Sequence, residues 1–103
     1  MLLVNTDYIS GKELETIGIV KGNIVQTKNF GKDFMAGIKT LVGGEIVQYT
    51  EMLNQARQIA VKRMVDEAQA LGADAIINVR YASASVMQGA AEVIAYGTAV
   101  KYK

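Results

Sequence analysis

Four residues of this chain carry side chains whose type and spacing could do chemistry: Glu45, Tyr49, Arg57 and Arg80. Glu45 follows the pair Gly43-Gly44, and Tyr49 comes one helical turn later, so a phenol could lie beside a carboxylate. With the two guanidinium groups, such a set could run acid–base chemistry in a cleft, with Glu45 as the acid or base. Each residue also has a plainer role. Glu45 is a favourable charge at the start of a helix, and Tyr49 can pack its ring in a core with the hydroxyl at the rim. Arg57 and Arg80 lie near small or apolar residues, which predicts partial burial and a need for a partner. Asp66, Glu67, Asp74 and Glu92 are the available carboxylates. The alternative is a carboxylate or phosphate held in a pocket between subunits. A phosphate on the Gly43-Gly44 turn itself is disfavoured, because Glu45 would repel it.

Much other chemistry is excluded by composition. The chain has no Cys and no His among 103 residues, which removes thiol and imidazole nucleophiles, catalytic triads, redox pairs and zinc sites. Five Met residues at 1, 35, 52, 64 and 87 are the only soft donors, and two of them fall on a predicted core stripe. Asp66-Glu67 is the one adjacent acidic pair, but consecutive helical residues diverge around the axis. No catalytic residue and no metal ligand is assigned, and no cofactor follows from the sequence. Gly11-Lys12 and Gly31-Lys32 are followed by acids, so neither is a Walker loop, and Gly18 and Gly22 fall inside a predicted strand rather than a dinucleotide turn. Lys21, Lys28, Lys32 and Lys39 surround Phe30 and Phe34, yet the phenylalanines fit a buried helical face and are not free to stack on bases.

Eleven cations against ten acids give a net charge of +1, without the dense basic surface of a nucleic-acid binder. Half of the residues are hydrophobic, too many for a disordered chain, and the length fits a single domain over residues 1–103. No apolar run reaches the ~20 residues of a membrane span, and the N-terminus lacks the marks of a secretory signal. A cytoplasmic protein is expected, without nucleic-acid or membrane partners.

The elements that must position the four candidates follow from periodicity. Met1 to Val4 reads as a short strand, and the β-branched residues from Thr16 to Thr27 as a longer one. Phe30, Phe34, Ile38, Leu41 and Val42 mark a short helix capped by Asn29. A long helix starts at Glu45 or Ile46 and ends at Leu71, before Gly72. Its buried stripe is Tyr49, Met52, Leu53, Ala56, Ala60, Met64, Ala68 and Leu71. Asp74 to Met87 and Ala90 to Tyr102 form a hairpin closed by Gln88-Gly89, which sets Met87 opposite Ala90.

That register places Ile77, Val79, Tyr81, Ile94, Tyr96, Thr98 and Val100 on one face of the hairpin. Ala82, Ala84, Ala91, Val93, Ala95, Gly97 and Ala99 share the other with Asn78 and Arg80. Neither face is polar, although a sheet wetted on one side should show one polar face. The small-residue face suits a closely packed helix. The other face needs a cover, and a second copy of the chain is the economical one; the alternative is that the helices straddle both faces or that bulges break the alternation.

The residues from Val42 to Arg80 include Gly43 to Glu45, Tyr49, Leu53, Ala56-Arg57, Ala60, Met64, Glu67-Ala68, LGADAI at Leu71 to Ile76, and Val79-Arg80. Together with AYGTAV at Ala95 to Val100 they resemble the YbjQ-like family, uncharacterised bacterial proteins with a heavy-metal-binding label. The resemblance spans essentially the whole chain. It implies an α+β, dodecin-like subunit in which a three-stranded antiparallel sheet packs with a short and a long helix, beside a short N-terminal strand. It also implies a ring, a homopentamer, whose partner is itself. The function expected is a non-catalytic ring with small-molecule or ion sites at subunit junctions. The alternatives are an enzyme using Glu, Tyr and Arg groups in an intersubunit cleft, and a purely structural ring. Only the family label suggests a metal, and no Cys or His supports one here.

Overall fold

The structure, a computed structural model, describes residues 1–27 and 43–103, with helix side chains described from Tyr49 onward. The expected helix from Phe30 to Val42 lies outside the described residues. In chain order the elements are β1 (Leu2–Leu3), β2 (Leu14–Thr27), α1 (Gly43–Ala70), β3 (Ala75–Met87) and β4 (Ala90–Tyr102). They build an α+β unit whose sheet has four strands in the order β1-β3-β4-β2. Three of them, β3-β4-β2, are antiparallel. The short N-terminal strand adds a fourth and makes the sheet mixed: β1 joins the edge, pairing parallel to β3 through Leu2 with Ala75 and Leu3 with Ile76.

The periodic stripe of α1 buries Met52, Ala56, Ala60, Met64 and Ala68, with Tyr49 and Leu53 half-buried at its start. Leu71, expected on the stripe, is 49% exposed because the helix has already ended. Gly72, at φ +76°, reverses the chain. The Ala73 N–H donates to Ala68 O at 3.0 Å and the Gly72 N–H to Gln69 O at 3.0 Å, which satisfies the terminal carbonyls. The alanines of the stripe let the sheet come close. At Gly22 an added Cβ would collide with Ala60 O and Met64 N and sit 2.7 Å from Arg63 Cβ. From the same turn, the Arg63 guanidinium donates to Asn23 O at 2.7 Å and ties α1 to β2. Opposite the stripe, the inner face of β4 carries Ala91, Val93, Ala95 and Ala99, all buried.

The hairpin closes as expected, with Gly89 at φ 79° and Met87 opposite Ala90, but β3 then departs from the expected register. Ser85 pairs with Ala91, so one residue of β3 is extra beside the turn. A second shift lies between Ile77, opposite Thr98, and Arg80, opposite Tyr96. Each one-residue shift exchanges the two faces. Between the shifts the assignment is therefore reversed: Arg80, Ala82 and Ala84 lie on the outer face, while Tyr81 and Ser83 turn toward α1. Beyond the second shift, Ile77 and Ala75 regain the expected face.

Residues Asn78 and Val79 form the second bulge, with Asn78 left-handed at φ 53°, a region Asn tolerates better than most residues. Gly97 makes room for it. A Cβ there would lie 2.7 Å from Ile76 Cγ2 and 2.9 Å from Ile77 O. The N-terminal segment takes up the amides that the bulge turns away from β4. Asn78 N–H donates to Thr6 O at 2.9 Å and Val79 N–H to Val4 O at 3.0 Å.

The outer face is partly covered by the chain itself. Val4, Ile9, Leu14 and Tyr102 pack over Ala75, Ile77 and Val100, forming a second, smaller core. Past that point no described residue covers the face, and Ile19 is 75% exposed and Val25 55% exposed.

Candidate functional site

Strand register builds the site. On the outer face Lys21 of β2 is opposite Tyr96 of β4, and Tyr96 is opposite Arg80 of β3, so a phenol lies between two cations. Neighbouring strands are spaced by about 4.8 Å, so the three side chains form one row across the face. The next outer rows are Ile19, Thr98 and Ile77 on one side and Asn23, Ile94 and Ala82 on the other. A groove of about 300 Å³ opens here, lined by Ile19, Asn78, Arg80, Tyr96, Gly97 and Thr98. It offers a guanidinium, a phenol, a hydroxyl and an amide along an apolar wall.

Charge in this groove is one-sided. The guanidinium of Arg80 donates from Nη1 to Asn5 O at 3.1 Å and to Val79 O at 3.4 Å, both neutral acceptors. Among the described residues the ion pair is Lys62 with Asp66 at 2.9 Å, on the far surface of α1. The outer-face carboxylate on β4 is Glu92, four residues from Tyr96, opposite Val25 and Ala84. Arg80 is thus corrected twice: it is exposed rather than partly buried, and it lies on the outer face rather than among the small residues facing α1. The bulge at Asn78 and Val79 re-aims it.

The three sequence candidates whose side chains are described, Tyr49, Arg57 and Arg80, border separate grooves of the chain. Glu45 lies near the start of α1, and its side chain falls outside the described residues. Tyr49 is half-buried in a groove with Leu53, Ser83, Ala84, Ser85 and Ala91. Arg57 is exposed, not partly buried; it donates to Asn54 Oδ1 at 2.6 Å and borders a different groove with Gln58, Val61 and Tyr81. Arg80 lines the outer groove and also a larger one, about 660 Å³, between Leu3–Thr6 and Val79–Tyr81. None of the expected carboxylates pairs with an arginine among the described residues: Asp66 holds Lys62, and Asp74 Oδ2 accepts the Tyr102 N–H at 2.9 Å. Lys21, Tyr96, Asn78 and Thr98 were not legible as site residues, because β-strand register alone brings them together. The isolated Gly97 inside a strand was the one local signal of a bulge.

The donor set does not fit a soft metal. Heavy-metal ions favour thiolate and imidazole, both absent from the chain. Among the described residues no three acidic side chains cluster as a ligand set. Met52 and Met64 are buried under the sheet, where their thioethers serve packing.

Comparison with known proteins gives the family. A family model described as "Putative heavy-metal-binding", that of YbjQ, matches residues 1–103. A UPF0145 protein of Clostridium novyi is 68% identical over 101 residues, covering 98% of each chain. Another from Alkaliphilus metalliredigens is 67% identical over 102 residues, covering 99% of each, and one from Methanosarcina acetivorans is 50% identical over 102 residues, covering 98% of this chain and 96% of its own. A crystal structure of a Pediococcus pentosaceus protein of unknown function, from the DUF74 family, shares the fold with a TM-score of 0.65 at 16% identity, covering 100% of this chain and 98% of that one. The chain belongs to the YbjQ, or UPF0145, family.

Proposed function

We propose that this YbjQ-family chain is a non-catalytic subunit of a homo-oligomeric ring, with the open part of its outer sheet face at the junction between copies. The observation that carries the reading is the exposure of Ile19, Val25 and Tyr96, at 75%, 55% and 37%, in a face whose other end the chain already covers.

The resemblance that suggests a dodecin-like subunit also suggests five copies, each contributing a junction site for a small molecule or ion in the cytoplasm. Nothing in the placement of Tyr49, Arg57 and Arg80, which border separate grooves, favours the acid–base reading. Sedimentation velocity on the wild type and on Ile19→Glu tests the proposal. The wild type should sediment as one oligomeric species, and the variant should shift toward monomer, because a carboxylate would be buried without a partner. A variant that assembles like the wild type removes the open face from the junction.

A further inference from the structure

The geometry points to the outer-face groove at Tyr96 as a phosphate site: Lys21 and Arg80 grip the phosphate of a small phosphate-bearing molecule over the phenol, with Thr98 and Asn78 completing the polar wall. This rests on the proposed function for where the site lies, at a subunit junction, and names its ligand.

Three observations lead there. The row Lys21-Tyr96-Arg80 brings two cations into strand register around one ring, and no ion pair compensates either of them among the described residues. Arg80 anchors itself through Nη1 on the carbonyls of Asn5 and Val79, which fixes the guanidinium and leaves its Nε and Nη2 donors for an anion. The groove beside the row, about 300 Å³, carries a phenol, a hydroxyl and an amide, so the remaining oxygens of a tetrahedral anion have donors within the same wall.

Charge selects the ligand class. Two cations match a phosphate monoester, which carries about −1.5 to −2 at neutral pH, better than a single carboxylate. Ile19 and Tyr96 beside them offer apolar contact to the organic part of the ester. Covering this face with a neighbour would strengthen the interaction by excluding water, and would make two uncompensated cations costly if no anion were there.

The test uses the full-length protein at fixed ionic strength, titrated with inorganic phosphate, glycerol phosphate or succinate against chloride. Thermal shift and phosphorus NMR follow binding, and native mass spectrometry follows assembly in parallel. Saturable stabilisation by both phosphates is expected, with at least tenfold weaker binding in Lys21→Gln and in Arg80→Gln. Lys21→Gln leaves the Arg80 anchor to Asn5 intact, so it remains informative if Arg80→Gln fails to fold. Phosphate acting no differently from chloride, succinate binding as tightly as phosphate, or unchanged affinity in Lys21→Gln would each overturn the site. Variants that dissociate while the wild type ignores phosphate would also overturn it, assigning the row to a neighbour's carboxylates. A monomeric wild type that still binds phosphate through Lys21 would sink the ring and spare the site.

Discussion

Replacing Gly22 by Ala probes the closest approach of helix and sheet. The added Cβ would be driven into the hydrogen-bonded pair Ala60 O and Met64 N, one link of the helix's own ladder, and to 2.7 Å from Arg63 Cβ. Ordinary carbon contacts lie at about 3.5–4.0 Å, so the helix must back away by about 1 Å. That loosens Ala56, Ala60, Met64 and Ala68, all fully buried, against Val20 and Ala95. Overpacking costs about 1–3 kcal/mol, and the upper end applies because the obstacle is backbone and cannot rotate aside. The gain from a less flexible unfolded chain is at most about 1 kcal/mol. A net loss near 2 kcal/mol lowers the melting temperature by about 8–16 °C at this chain length. Circular dichroism melts at matched protein concentration are the assay, since assembly makes the midpoint concentration-dependent. A G22A midpoint within 3 °C of the wild type would refute the close packing of α1 on β2.

Other substitutions test the remaining joints. Gly97→Ala places a Cβ against Ile76 and Ile77 O, so the bulge should open and amide exchange at Asn78 and Val79 should accelerate at least tenfold; unchanged protection there would show that Gly97 does not make room for it. Met64→Ala empties a fully buried position in the main core and should cost about 2–5 kcal/mol in urea unfolding. Gly72→Ala puts a side chain at φ +76° and should cost about 1–2 kcal/mol by the same assay, without changing the oligomeric state. Lys62→Ala removes an exposed pair with Asp66 and should move stability by less than about 0.5 kcal/mol, measured alongside the others.

The long helix was legible because its signals agree: an apolar stripe at helical spacing, and Gly72 one step past the end. The faces of β4 were legible for the same reason, since its alternation runs unbroken from Ala91 to Val100. β3 was not. Two single-residue shifts, at Val86 and at Asn78–Val79, reverse its faces between them. Alternation cannot report a shift, which depends on backbone torsion and on the partner strand. Arg80 was therefore singled out by type but assigned to the wrong face. Tyr49 and Arg57 share one side of α1 yet lie eight residues apart, about 12 Å along the axis, which separates their grooves. Lys21 and Tyr96 meet only through the β2–β4 register across 75 positions of sequence, so no local pattern could have joined them.

The account stands on self-association through the open outer face, and native mass spectrometry of the full-length protein at micromolar concentration measures that directly. A single closed oligomer, five subunits in mass, is the predicted spectrum; a monomer persisting across that concentration range would contradict it.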